Sequence, residues 1–176
     1  MAPTTARAGG PWPHRIIMLI ALEELAFGPV TVERDYAAGE LEVRHPDLEG
    51  SGPVHARAEA RMAGQELRVH LQWSAREQLL CGRCLQPLPT NWSGDANLVY
   101  HPAGEWAPEH GVEIHAADTD IDFYQPPGLE LEDLLREQIL LTLPMRVLCR
   151  EDCAGLCPRC GHNRNAGPCH CAPAGA

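Results

Sequence analysis

The chain has 176 residues, enough for one domain with a small appended module, and its net charge of -10 argues against broad electrostatic gripping of nucleic acid. All 14 basic residues are arginine, and 16 Pro with 16 Gly favour turns and irregular stretches over long helices. Eight cysteines, in a chain lacking the roughly 18 apolar residues in a row of a membrane helix, point to metal before disulfides in a reducing cytoplasm.

Residues 1–15, rich in Ala, Thr, Gly and Pro, are predicted to be a disordered extension. The apolar run 16–20 reads as a strand, and residues 21–25 as a short helical piece ended by Gly28-Pro29. That run follows Arg7, His14 and Arg15, but Glu23-Glu24 and the lack of a small-x-small cleavage site argue against export. Val30, Val32 and Tyr36 suggest a further strand, followed by a loop from His45 to Pro53.

The centre carries the clearest β pattern. Val54, Ala56, Ala58, Ala60 and Met62 alternate with His55, Arg57, Glu59 and Arg61. Ala63-Gly64-Gln65-Glu66 turns, and Leu67, Val69, Leu71 and Trp73 alternate on the return, predicting an antiparallel hairpin with one wet face. Residues 78–81 read as strand, Cys81-Gly82-Arg83-Cys84 as a turn, and 96–100 as strand again. Residues 101–118 look like a mobile acidic loop, and 121–124 like a short strand broken by Pro126-Pro127-Gly128. A helix over 130–142 is expected, with Leu131, Leu134, Leu135, Gln138 and Leu141 along one side, acids in its first turn and Pro144 at its end. The sum is an α+β fold: an antiparallel sheet and one main helix over 16–144, and a cysteine-rich zinc-binding tail over 145–176.

The tail runs Cys149-x3-Cys153-x3-Cys157-Pro158-Arg159-Cys160-Gly161 and then Cys169-His170-Cys171. Zinc takes four thiolate or imidazole ligands in a tetrahedron, and a Cys-x-x-Cys turn supplies two at once. Gly161 permits the left-handed conformation that closes such a turn. The first choice of ligands is Cys157, Cys160, Cys169 and Cys171, with His162 and His170 as substitutes. A second set joins Cys81 and Cys84 to Cys149 and Cys153. The pair Cys81 and Cys84 has two other readings, a redox pair and a plain β-turn; Pro87 and Pro89 argue against the helix that would activate a redox thiol. The spacing Cys153-x3-Cys157-x2-Cys160 matches a radical iron–sulfur site, but such a site needs a large α/β barrel after it. Nothing assembles a catalytic set, a phosphate loop or a nucleophile elbow, so neither an enzyme nor a small-molecule substrate is expected.

These stretches resemble one bacterial family. Leu129 to Pro144, the tail from Cys149 through Asn163 and Asn165 to Cys171, and Cys81-Gly82-Arg83-Cys84 after a hairpin are similar to the YceD-like large ribosomal RNA subunit accumulation family. Met18-Leu19-Ile20 with Leu25 and Gly28-Pro29 fits its opening, which makes residues 1–17 an extension or a misplaced start. The resemblance implies a cytoplasmic, non-enzymatic role in the synthesis, processing or stability of 23S ribosomal RNA and in large-subunit assembly. It implies ribosomal or assembly proteins of the large subunit as partners, with 23S rRNA as a further candidate. Two readings of other classes stand beside it: a thiol redox protein using Cys81 and Cys84, and a zinc-ribbon adapter for protein contacts.

Overall fold

The computed structural model describes residues 17–103 and 122–171. Expectations for residues 1–15, for Ile16, for most of the acidic loop and for Ile121 lie outside them. Among the described residues nine elements follow in order: β1 (Leu19–Ala21), α1 (Leu22–Leu25), β2 (Val30–Tyr36), β3 (Val54–Ala63), β4 (Glu66–Leu80), β5 (Pro87–Pro102), β6 (Asp122–Tyr124), β7 (Gly128–Glu130) and α2 (Leu131–Leu141). Strands β2-β3-β4-β5-β6 form one sheet in that order, while β1 and β7 pair separately.

The alternation read from the sequence sets the faces of the sheet. Val54, Ala56, Ala58 and Ala60 are buried, and the interleaved His55, Arg57, Glu59 and Arg61 are exposed. Register follows: a two-residue loop at Gly64-Gln65 pairs Ala63 with Glu66, and the ladder continues to Val54 opposite Ala75. On the buried face Trp73 lies over Gly94, its partner on β5; a Cβ at 94 would stand 2.4 Å from Trp73 Nε1, so only glycine fits there. Trp73 also meets Trp92 edge to face, with ring centroids 6.4 Å apart. Helix α1 packs on β3, and α2 on β5 and β7.

Three expectations change. The sheet is mixed, because β6 runs parallel to β5 over Tyr100–Pro102, so His101 and Pro102 are strand and not the start of a loop. Strand β5 begins at Pro87, well before residue 96, despite Pro87 and Pro89. Both prolines are tolerated because, among the described residues, β6 covers only the far end of β5 and no strand pairs with its first half on the side away from β4. In α2 the buried apolar residues are Leu131, Leu134, Leu135 and Ile139, each contributing about 2 kcal/mol of apolar burial, while Leu141 is exposed. Leu141 lies in the last turn of the helix.

Two carboxylates are buried among the described residues, Glu77 and Glu132. Glu77 lies on the core face of β4, where burial pushes its carboxyl up against the opposing pull of one hydrogen bond from Gly52 N–H. A raised carboxyl pKa means that the folded state binds the proton more tightly than the unfolded one. Stability is therefore lost as pH rises from the ordinary carboxylate range through the folded value. Glu77→Gln should melt higher than the parent at pH 8, with the difference vanishing towards pH 4; an unchanged difference across that range counts against this account.

Candidate metal centres

The long β4–β5 ribbon outruns β3. Beyond Ala75, the side of β4 away from β5 meets residues of the 47–53 segment, through the Arg76 N–H to Pro53 carbonyl bond, the Leu48–Leu79 bridge and the Leu80 N–H to Asp47 carbonyl bond. At the tip of the ribbon Cys81-Gly82-Arg83-Cys84 forms a knuckle. The Cys81 N–H bonds the Gln86 carbonyl at 3.0 Å and the Leu85 N–H bonds the Cys81 carbonyl at 2.8 Å. The second knuckle, Cys157-Pro158-Arg159-Cys160, repeats this pattern. The Cys157 N–H reaches the His162 carbonyl at 2.8 Å and the Gly161 N–H the Cys157 carbonyl at 2.9 Å.

In both knuckles the residue after the second cysteine is left-handed, Leu85 at φ 57 and Gly161 at φ 70. Glycine suits that conformation and leucine does not, at a cost of about 1–2 kcal/mol. Leu85 is 57% exposed, so little burial compensates. Leu85→Gly should raise the unfolding free energy of the metal-loaded protein by about 1 kcal/mol, read from its denaturant midpoint.

The eight cysteines gather into two groups of four, Cys81, Cys84, Cys149 and Cys153 at the ribbon tip, and Cys157, Cys160, Cys169 and Cys171 in the tail. Within each, all Sγ atoms lie within 4.8 Å of one another. Both sets named from spacing are thus brought together, and neither His162 nor His170 enters a group among the described residues. In the group at the tip of the β4–β5 ribbon, the hairpin site, the Sγ atoms of Cys81 and Cys153 are 3.8 Å apart, and those of Cys84 and Cys149 3.7 Å. In the tail site Cys157 and Cys169 are 3.4 Å apart. A tetrahedron with Zn–S bonds of about 2.3 Å has sulfur–sulfur edges of ~3.8 Å, whereas a disulfide closes to about 2.05 Å. All eight thiols are free. The donor set, four sulfurs without a hard oxygen, fits a soft or borderline cation.

Electrostatics point the same way. Burial pushes the Cys81 thiol up, but N–H donors from Arg83, Cys149 and Cys84 outweigh it and bring its pKa to about 6. The Arg159 and Cys160 N–H groups likewise pull Cys157 down to about 6. Asn165 lowers Cys153 by donating from Nδ2 to its sulfur at 3.3 Å. Cys149 is pushed up to about 12 by Cys153 and by burial, and Cys171 to about 12 by Cys160 and by burial. Each group therefore begins with an ionised sulfur that resists ionisation of its neighbours, a conflict that a bound divalent cation relieves.

The redox reading of Cys81 and Cys84 meets a different geometry. Cys84 turns into β5 and not into a helix, so among the described residues the N–H donors around the knuckle, and not a helix end, lower the Cys81 thiol.

Comparison with known proteins places the chain. The family described as large ribosomal RNA subunit accumulation protein YceD matches residues 69–175, more than half of the sequence. The chain belongs to the YceD family. The matched stretch runs from inside β4 through α2 to the tail and contains all eight cysteines, so both YceD-family metal candidates lie within it. The relatives include a protein of Mycobacterium bovis and two of Mycobacterium tuberculosis, each described only as uncharacterized. Each is 27% identical over 81 residues, covering 46% of this chain and 37% of the relative, so the chain spans little more than a third of their length. No solved structure matches. Among the described residues no helix is long and apolar enough to cross a membrane.

Proposed function

We propose that the protein is a non-enzymatic, cytoplasmic ribosome-biogenesis factor that supports synthesis, processing or stability of 23S ribosomal RNA and large-subunit assembly. The observation that carries this reading is the family match over residues 69–175. The metal in both four-cysteine groups is zinc, held as two closed tetrathiolate sites that fold the tail. Four protein sulfurs per ion leave no open position for a substrate, as structural zinc sites require. Zinc supplies cohesion there, and this chain's own residues position the sulfurs and neutralise part of their charge.

The partners are ribosomal or assembly proteins of the large subunit. The charge distribution supports that choice. From His101 to Glu137 ten acidic residues face one arginine, whereas from Pro144 to Cys171 four arginines face Glu151 and Asp152. An acidic body suits basic ribosomal proteins, with complementarity acting mainly on encounter and partner choice. The test is removal of the gene from its native host. Depletion of 23S relative to 16S rRNA and a deficit of large subunits are expected, and normal levels of both overturn the proposal.

A further inference from the structure

The two cysteine groups sit in unequal surroundings. In the hairpin site Cys81, Cys84 and Cys153 are buried, Cys149 is half-buried, and Leu88, Leu148 and Leu156 pack on them. In the tail site only Cys157 is buried, and Cys160 is exposed. The hairpin ligands are also held by bonds that involve no sulfur. Gly82 N–H donates to the Val147 carbonyl and Leu156 N–H to the Arg83 carbonyl, both at 2.9 Å, and Arg83 Nη1 donates to the Cys153 carbonyl at 2.9 Å. Sulfurs placed in advance cost less ordering when an ion arrives.

The loop between Cys160 and Cys169 takes its support from the hairpin site. Arg164 N–H donates to the Gly155 carbonyl at 2.9 Å, and Asn163 bridges Leu156. Asn165 goes further. Its Oδ1 accepts from Arg150 Nη2 and Ala154 N–H, each at 2.8 Å, while its Nδ2 donates to Cys153 Sγ at 3.3 Å. A residue carried by the tail site's loop thus bonds a sulfur of the other site.

We propose that the two sites load in order, hairpin site first and tail site second, and that Asn165 couples their occupancies. The proposal rests on the reading of both groups as metal sites. Filling the tail site fixes the loop that carries Asn165, and the fixed amide orients and partly neutralises the Cys153 thiolate. Linkage makes the effect reciprocal: each filled site strengthens the other by the same factor.

The test uses full-length, reduced, metal-stripped protein titrated with Co(II), whose absorption reports tetrahedral thiolate coordination. The loaded protein is then challenged with a chromophoric chelator. Release from the parent should run in two phases, and Cys160→Ser should lack the faster one while binding its first equivalent within a few-fold of the parent. In Cys84→Ser the remaining equivalent should bind at least tenfold more weakly than the parent's first. Asn165→Asp keeps the oxygen that serves Arg150 and Ala154 but loses the donor to sulfur. By that reciprocity its fast phase, release of the tail ion from the doubly loaded protein, should quicken by about tenfold or more, within the range for second-shell partners, and its thiolate absorption should shift. Single-phase loss of both ions, loss of both in Cys160→Ser, or parental release by Asn165→Asp overturns the proposal. Protein that takes up no Co(II) overturns the metal reading together with it.

Discussion

Stripping the metal from reduced protein is expected to release residues 147–171 from protection against hydrogen exchange while β2, β3 and most of β4 stay protected. The tail meets the rest of the molecule at the ribbon tip. Val147 bonds Gly82, Leu156 and Cys153 bond Arg83, and the small apolar cluster there is built largely of cysteines. That cluster is far smaller than the main core, which runs from Ile20 to Ile139 without using any cysteine. Metal binding worth roughly 10–16 kcal/mol in zinc-finger peptides would therefore dominate the tail's stability, and the sheet would keep its own core. Exchange in the tail that stays slow after verified metal loss would falsify the dependence.

Glu132→Ala should lower the unfolding free energy by about 3 kcal/mol, read from the denaturant midpoint, with Glu132→Gln falling in between. Glu132 is 3% exposed in the first turn of α2 and ties the helix to β2 and to the residue just before β1. Its Oε1 accepts from Tyr36 Oη at 3.0 Å and Arg34 Nη1 at 3.2 Å, and its Oε2 from Met18 N–H at 3.0 Å. Truncation leaves a buried hydroxyl and a backbone N–H without their acceptor. Arg34 keeps Glu40 at 2.6 Å, which limits the loss on the cationic side. Glutamine retains one acceptor and the side-chain volume but no charge for Arg34. A loss below about 1 kcal/mol for the alanine variant, the size of an ordinary surface change, would contradict the keystone role.

These two predictions separate what could be read locally from what could not. The knuckle at Cys157 was legible because a Cys-x-x-Cys-Gly string specifies both ligand spacing and the left-handed closure. Its twin at Cys81 was harder, because Leu85 occupies the glycine position and its partners Cys149 and Cys153 lie 65 or more residues away. Spacing therefore suggested that grouping only as a second set. The β3–β4 hairpin was plain in its period-2 pattern, whereas the first half of β5 was concealed by prolines that are harmless where, among the described residues, β5 has a partner strand on one side alone. In the sequence Glu132 is one of the acids of the first helical turn, which complement the helix dipole. Its burial depends on Met18, Arg34 and Tyr36, at sequence separations of 114, 98 and 96. The parallel placement of β6 has the same character, since it depends on where the intervening chain returns.

The ribbon beyond Ala75 has a consequence for how the gene can change length. Its strands turn alternate residues to opposite faces. Removing one residue from each strand of the stretch 76–80 and 87–91 would carry the Cys81 knuckle round to the other side of the sheet, away from Cys149 and Cys153. Removing two from each would keep the knuckle on its own side but draw it back by roughly 7 Å. Insertions and deletions in this stretch should therefore survive only in matched, even steps, with a compensating change in the connection between α2 and Cys149.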